Sequence, residues 1–333
     1  MKVLITGATG FLGSAVLRKL LARGDEVRAM ARLSSDRALL DGLDVEIVTG
    51  DLGDPASLKA AVKGCQALYH VAADYRLWVR DVAAMHKSNV EGTRNIVLAA
   101  AEAGVARIVH TSSVAALATS KTGEIADENT PVTPEMTVGP YKQSKFRSEA
   151  EVLRLVAERN APVVVVNPSA PVGPGDIRPT PTGRMVLEAA RGNMPVYVDT
   201  GFNVVHVDDV AEGHLLAMEK GRIGERYILG GDNLPFRDFL TLIAEAAGVA
   251  PPRFRVSPTL AYPVAVLSEL WARINPGFEP LATVNGIKMA SKKMYFSSAK
   301  AETELGYRHR PATEAVRDAV QWFRETGRLA TSR

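Results

Sequence analysis

Tyr141 and Lys145 are the residues of this sequence whose types and spacing most directly suggest chemistry. A separation of four places both side chains on one face of a helix. A free tyrosine has a pKa of about 10 and is a poor base at neutral pH, whereas a nearby ammonium favours the phenolate and lowers that pKa. Ser113 follows an apolar strand, and its hydroxyl could hold the oxygen on which the phenol acts. These three residues predict acid–base catalysis at a carbonyl or alcohol oxygen.

A glycine-spaced turn near the N-terminus indicates that a cofactor takes part in the reaction. An apolar strand over Lys2 to Thr6 leads into Gly7, Gly10 and Gly13, and an apolar helical pattern follows. Backbone N–H groups at a helix N-terminus hold a pyrophosphate well where no side chain blocks its approach. The turn therefore predicts a dinucleotide cradle, which would exchange a hydride at the same substrate atom. The predicted contacts of this turn are Gly7, Thr9, Gly10, Phe11, Leu12 and Gly13.

The end of the second strand bears on which dinucleotide binds. Glu26 to Ala31 form that strand, and Arg32 follows it. An acidic residue here accepts from the ribose 2′-hydroxyl of NAD, whereas an arginine pairs with the 2′-phosphate of NADP. Arg32 therefore favours NADP, with NAD still possible, and Arg28 and Arg37 lie equally near in sequence.

The third strand, over Val45 to Thr49, ends in a short turn that contains Asp51 and Leu52. Asp51 could accept a hydrogen bond from the adenine amino group, and Leu52 could pack on the adenine ring. Alternatively, Asp51 caps a helix near Pro55 to Val62. The two roles are compatible.

Two further positions complete the predicted cofactor edge. Ala72 and Ala73 follow a fourth strand over Ala67 to Val71, and their small side chains leave room for the cofactor. Asn89 lies inside a long helix over about Val82 to Ala103, where a buried amide needs partners. It either braces a neighbouring strand or contributes to a proton path.

Taken together, these motifs resemble those of the extended short-chain dehydrogenases/reductases, the superfamily of NAD-dependent epimerases and dehydratases. The resemblance runs from Met1 to about Phe323. It rests on the glycine turn, Gly50-Asp51-Leu52, the Asn89 segment, Thr111-Ser112-Ser113, Tyr141 to Lys145, and Val205 to Ala211.

The resemblance implies an α/β fold with a Rossmann-type doubly wound parallel sheet and a smaller, discontinuous C-terminal α/β substrate domain. The expected nucleotide domain comprises residues 1–168 and about 204–220, and the substrate domain comprises 169–203 and 221–330. It further implies that Tyr141 is the acid/base, that Lys145 also holds the nicotinamide ribose, and that Pro168 and Ser169 lie near the cofactor. A homodimer is possible in such a family.

Two hypotheses for the enzyme's reaction use Ser113, Tyr141 and Lys145 differently. A reductase exchanges NADPH for NADP after one reduction, whereas a nucleotide-sugar epimerase retains its NAD. Arg32 and the apolar segment from Thr259 to Trp271 favour the reductase acting on an apolar or glycosyl-bearing small molecule. Asn167 favours the epimerase, since an asparagine at that place in epimerases touches the nucleotide-sugar phosphate. Sugar dehydration is disfavoured, because Val114-Ala115-Ala116 stands where dehydratases carry an acid pair.

Within the family, the whole chain resembles two groups, the dihydroflavonol 4-reductase-like proteins and the hopanoid-associated sugar epimerases. Val71 to Trp78 and Asn167 to Gly183 resemble the second group more. A dinucleotide-binding sensor without turnover is the non-enzymatic alternative. It is disfavoured because such proteins usually lose the tyrosine or the lysine.

Two other features remain open from sequence. His206 could act as a base, but a structural role is favoured, with Asp208 and Asp209 capping the next helix. The apolar segment from Thr259 to Trp271 could be a lid over an apolar substrate, a membrane-facing surface or part of the core.

Composition excludes several other classes of protein. The 333 residues include 40 basic and 37 acidic side chains, and this balance argues against a nucleic-acid interface. Cys65 is the only cysteine, which excludes an internal disulfide and suits a reducing compartment. The six histidines show no paired spacing, and with a single cysteine this argues against a metal site. No apolar run approaches the roughly 20 residues that span a bilayer. We expect a cytoplasmic protein, because the N-terminal strand carries the glycine turn and is no signal peptide.

Overall fold

The computed structural model describes residues 1–76, 79, 81–118, 124–275, 283–289 and 292–329. The strands are β1 Lys2–Thr6, β2 Glu26–Ala31, β3 Glu46–Thr49, β4 Ala67–His70, β5 Arg107–Thr111, β6 Val163–Pro168, β7 Ala170–Val172, β8 Val196–Tyr197, β9 Gly201–His206, β10 Arg226–Leu229, β11 Asp232–Pro235, β12 Phe254–Arg255 and β13 Lys293–Met294. The helices are α1 Phe11–Ala22, α2 Pro55–Val62, α3 Val82–His86, α4 Gly92–Glu102, α5 Pro140–Arg159, α6 Pro181–Ala190, α7 Val207–Lys220, α8 Phe236–Ala247, α9 Pro258–Ile274, α10 Val284–Met289, α11 Ala299–Leu305 and α12 Ala312–Glu325.

The main sheet has seven strands in the order β10-β6-β5-β4-β1-β2-β3, and every neighbouring pair is parallel. Its central strands β1, β4, β5 and β6 are buried on both faces, whereas the edge strand β3 is largely exposed. Val3 and Ile5 pack with α1 and α7 on one side, while Leu4 packs with α2, α4 and α5 on the other. This alternation explains the near-continuous apolar runs of the strands, and it gives the predicted Rossmann-type doubly wound sheet.

The strand order reverses direction between β1 and β4, so the chain leaves this point toward opposite edges of the sheet. In open parallel sheets, ligands bind outside the carboxyl ends of the strands at such a switch point. Thr6 ends β1 and His70 ends β4, and the two are register partners. The fold therefore places the glycine turn at the expected ligand crevice.

A smaller α/β layer covers the carboxyl edge. In it β9 pairs with β11, β13 and β7, and α6, α8 and α12 pack around a separate apolar core. The predicted boundary of this layer is wrong at one strand. Arg226–Leu229 falls within the expected substrate domain, residues 221–330, but it pairs with β6 and forms the edge of the main sheet.

Two predicted elements differ locally from the structure. The long helix expected over Val82 to Ala103 is α3 and α4 joined by a π-helical turn at Lys87–Glu91. His206, rather than the two aspartates that follow it, caps α7, since its Nδ1 accepts from the Asp208 N–H. Asp209 instead accepts two hydrogen bonds from Arg310.

The structural role predicted for His206 is confirmed by these contacts. Its ring is buried and lies against Arg310 and Asp318, which come from the C-terminal part of the chain. It thereby joins the main sheet's helix α7 to the covering layer.

The apolar segment within α9 is mostly surface. Within the segment from Thr259 to Trp271, Ala265 is buried, whereas Leu260, Leu267 and Trp271 are exposed, so the core interpretation does not hold. In the part of the chain described here, no helix has both the length and the apolar character needed to cross a membrane.

Candidate active site

The glycine turn is fixed by close backbone approach. Gly7 has φ +78°, and a Cβ built there would lie 2.7 Å from the Ala72 nitrogen at the exit of β4. A Cβ at Gly13 would lie 2.0 Å from the Gly7 carbonyl oxygen. Larger residues would force α1 and β4 away from the turn, so these two glycines are required by packing alone.

The turn leaves the N-terminus of α1 open to a ligand. Gly10 is the N-cap, is exposed, and supplies no side-chain hydrogen bond to the first turn. The N–H groups of that turn lack partners within the helix and carry the positive end of its dipole. The arrangement fits a pyrophosphate, with Phe11 and Leu12 following at the helix start.

Two orphan hydroxyls mark the same edge of the sheet. Ser112 Oγ follows β5 and Ser169 Oγ follows β6, and both are buried without a hydrogen-bond partner among the described residues. Buried polar atoms of this kind need a partner. Ala72 and Ala73, after β4, are partly exposed at the same carboxyl edge, whereas Pro168 is buried in β6 and pairs with β10.

The arginines near the second strand differ in whether their side chains already have partners in the protein. Arg28 donates to the carbonyls of Ala61 and Lys63 and pairs with Glu46, so it is unavailable to a cofactor. Arg32 is exposed just past the carboxyl end of β2, and within the described ranges its side chain has no hydrogen bond or ion pair. Arg32 therefore remains the candidate for a 2′-phosphate contact.

Asp51 does not cap the helix that follows it. Asp54 is the N-cap of α2 and accepts from the Ala56 N–H at 3.1 Å. The Asp51 side chain accepts from the Gly53 N–H at 2.7 Å and is exposed. The capping alternative for Asp51 is wrong, which leaves its carboxylate accessible from solvent beside half-buried Leu52.

The side chains of Ser113 and Tyr141 are hydrogen-bonded to each other. Ser113 caps a short 3₁₀ turn at Val114–Ala116, and Tyr141 lies in the first turn of α5. Burial raises the pKa of the Tyr141 phenol well above its ordinary value, the nearby Tyr75 raises it further, and a hydrogen bond with Ser113 lowers it. The phenol is therefore protonated at neutral pH.

Lys145 lies one turn along α5 from Tyr141. Its Nζ donates to the Thr111 carbonyl at 2.7 Å. Burial lowers the pKa of Lys145 to about 8, and Glu149, one turn later, opposes that shift. The predicted effect of Lys145 on the Tyr141 phenol stays a prediction.

Asn89 braces two elements. Its amide accepts from the Asp74 N–H at 2.7 Å, donates to the Asp74 carbonyl at 3.0 Å, and donates to Ser144 Oγ at 2.9 Å. It sits in the π-helical turn, and such turns often occur at functional sites. The bracing alternative fits these contacts, while the proton-path alternative stays a prediction.

Sequence reasoning missed Tyr75, which lies beside the phenol, and Asp176, which lies near Tyr75. Tyr75 packs edge-on against Tyr141 with ring centroids 4.7 Å apart, and its hydroxyl interacts with Thr182. Asp176 is buried nearby, accepts from Thr180, and has its pKa raised to about 6 by burial. Nothing in the irregular loop carrying Asp176 signals this position. Leu77 and Trp78, two and three residues after Tyr75, lie outside the described residues.

Asn167 is not placed to touch a substrate phosphate. It is fully buried in β6, and its Nδ2 donates to the Ser113 carbonyl at 3.1 Å and to Glu149 at 2.6 Å. Arg226 pairs with the same carboxylate. Asn167 therefore ties the Ser113 backbone to α5, and it helps to position Ser113 in the site.

Comparisons with known proteins agree with this fold. The model of the NAD dependent epimerase/dehydratase family matches residues 3–230, and the chain belongs to that family. A relative from Synechocystis sp., named "Putative dihydroflavonol 4-reductase", is 42% identical over 98% of this chain and 96% of its own.

Two solved structures resemble the whole chain. The crystal structure of gox2253 is 55% identical with a TM-score of 0.88, covering 98% of this chain and 99% of that one. A nucleoside-diphosphate-sugar epimerase from Pseudomonas aeruginosa is 28% identical with a TM-score of 0.81, covering 99% of each chain. The chain is accordingly an NAD(P)-dependent enzyme of the extended short-chain dehydrogenase/reductase type.

Proposed function

We propose that this protein is an NADP(H)-dependent reductase that interconverts a carbonyl and a secondary alcohol on an apolar or glycosyl-bearing small molecule. When bound, the nicotinamide supplies or accepts the hydride. In the direction of reduction, the carbonyl carbon gains that hydride and the oxygen gains a proton. The chain's own residues supply the proton and hold the oxygen.

The observation that carries this proposal is the contact between Ser113 and a protonated Tyr141 at the carboxyl edge of the sheet. A phenol that keeps its proton at neutral pH is ready to act as the acid of a reduction. Ser113, whose backbone is fixed by Asn167, can donate a hydrogen bond to the same substrate oxygen. The phenolate left after proton transfer requires a nearby positive charge, and Lys145, one turn along α5, is the residue that can supply it.

Arg32 supports NADP over NAD. It is exposed past the end of β2, whereas the competing Arg28 is held by two carbonyls and Glu46. A guanidinium without another partner suits a phosphate through paired charge-assisted hydrogen bonds. Bound NADP then exchanges between turnovers.

Asn167 supports a reductase over a sugar epimerase. An amide that is fully buried and bonded to Ser113 and Glu149 is not free to bind a nucleotide-sugar phosphate. The second candidate remains an epimerase with retained NAD, favoured by the Pseudomonas structure. The name of the Synechocystis relative favours the reductase.

Product stoichiometry tests the proposal. Purified protein is incubated with NADPH and a panel of aldehydes and ketones of increasing apolar length, and NADP and alcohol are both quantified. The proposal predicts one NADP formed for each alcohol formed. An interconversion of nucleotide-sugar epimers without any net change in NADPH would overturn it in favour of the epimerase.

A further inference from the structure

Helix α9 carries a continuous stripe of exposed apolar side chains. The stripe consists of residues alternately four and three positions apart, a spacing that places them on one helical face. Leu260 is 73% exposed, Leu267 68% and Ile274 78%. The members of the stripe are Leu260, Val264, Leu267, Trp271 and Ile274.

The opposite face of α9 attaches it to the rest of the protein. Ala265 and Ala272 are fully buried there, seven residues apart. Glu269 accepts a hydrogen bond from the Val284 N–H at 2.7 Å, which fastens α9 to the start of α10. The stripe therefore faces outward from an anchored helix.

The charge of this region differs from that of the remaining chain. Residues 251–298 contain six Lys or Arg and two Glu, so their net charge of +4 exceeds the +3 of the whole chain. Of the two acidic groups, Glu269 is already used by α10. Arg253 and Arg255 flank Phe254, which is 66% exposed just ahead of the helix. Apolar and basic residues are thus concentrated in one stretch of the sequence, in which Arg255 pairs with Asp199 at 2.8 Å.

The pair α9 and α10 also lies beside the catalytic helix. The Asn285 side chain of α10 is 3.3 Å from a Cβ built at Gly139, the N-cap of α5. Tyr141 is the second residue of α5. A surface that holds α9 would therefore lie close to the substrate side of the site.

We propose that the α9 stripe docks this protein peripherally on an anionic lipid bilayer. A helix with an apolar face and basic surroundings binds at the headgroup boundary, where the apolar side chains enter and the cations meet lipid phosphates. The helix lies in the interface, since no described helix can cross the membrane. A symmetric contact with a second copy is disfavoured, because it would bring two regions of net charge +4 together. This docking is independent of which substrate the site reduces.

Vesicle flotation of the full chain tests this proposal. Vesicles of phosphatidylcholine mixed with phosphatidylglycerol should bind the protein, and raised salt or phosphatidylcholine alone should weaken that binding. The double variant Leu267→Glu with Trp271→Glu should lower the binding about tenfold or more. Ile223→Glu is the matched control, because Ile223 is a half-exposed apolar residue outside the stripe and the active site.

Folding is checked by thermal melting without lipid. A second pair, Leu260→Ser with Ile274→Ser, repeats the test if the first variant melts early, and it should also weaken flotation. The proposal is overturned if the wild type does not float, if both variants float as well as the wild type, or if light scattering shows that the stripe variants convert a dimer to a monomer.

Discussion

The start of α5 and the outer face of α9 are built in opposite ways, although α10 lies beside both helices. At α5, Tyr141 and Lys145 are buried, and Lys145 bonds to the Thr111 carbonyl while Tyr141 interacts with Ser113 and Tyr75. At α9, apolar side chains project into solvent from a helix anchored through small residues. The first region is organised before a ligand arrives, because unpaired buried polar groups are costly. The second keeps apolar surface exposed, which is typical of a binding face.

Replacing the phenol should produce the largest effect in the buried region. Tyr141→Phe removes the proton donor but keeps the ring, so turnover should fall by about a thousandfold. The dissociation constant for NADPH, measured by fluorescence titration, should stay within about twofold of the wild type. Tyr75→Phe is the matched control and should keep most of the activity. Wild-type turnover in Tyr141→Phe would refute the assignment of the acid.

The glycine turn offers a paired test of packing against binding. Gly13→Ala places a Cβ 2.0 Å from the Gly7 carbonyl and should destabilise the protein by about 2–3 kcal/mol in urea unfolding. At Gly10 the nearest atom to such a Cβ is 3.4 Å away. Gly10→Ala should therefore leave the unfolding midpoint unchanged while weakening cofactor binding. Equal destabilisation by both variants would contradict the cradle.

Arg32 should decide the choice of cofactor with a smaller effect. Arg32→Ala should weaken NADPH binding about tenfold and leave NADH binding unchanged, because only NADPH has the 2′-phosphate. Calorimetric titration with both cofactors measures this. Arg37→Ala serves as the comparison, and a selective loss of NADPH binding there instead would move the phosphate site to Arg37.

Buried histidines beneath the site should make stability depend on pH. Burial lowers the pKa of His70 to about 3 and of His214 to about 4, so both stay neutral in the folded protein over most of the acid range. The unfolded chain binds these protons below a pH of about 6.5, so stability is full above that pH and falls toward pH 4.

His214→Gln isolates one of these groups. His214 bonds to Thr111 Oγ and to the Val210 carbonyl. Removing it should reduce the acid slope of the unfolding free energy by about 1.4 kcal/mol per pH unit between pH 6 and 5. Urea midpoints measured across this range provide the slopes, and identical slopes in variant and wild type would rule out a neutral His214.

The features that follow from local spacing were predictable from sequence. The glycine turn, the Rossmann-type sheet and the encounter of Ser113 with Tyr141 follow from strand–turn–helix patterns and from parallel strands sharing one carboxyl edge. The catalytic roles of these residues stay predictions.

The features that depend on distant partners were not predictable. Asn167 is buried because it reaches Ser113 and Glu149, which lie 54 and 18 residues away. Lys145 bonds to the Thr111 carbonyl, 34 residues away, and Asp176 is buried in a loop without a sequence pattern. The apolar spacing of α9 is the same for a core helix and a surface helix, so only the packed structure distinguishes them.

The most direct test of an exchanging NADP(H) cofactor needs no substrate. The protein as purified is denatured, and any dinucleotide released is identified and quantified. In a parallel experiment on undenatured protein, the dissociation constants for NADPH and NADH are measured and compared. A reductase should release little dinucleotide and bind NADPH more tightly than NADH. Release of NAD at close to one per chain would contradict the proposed exchange and point to an epimerase.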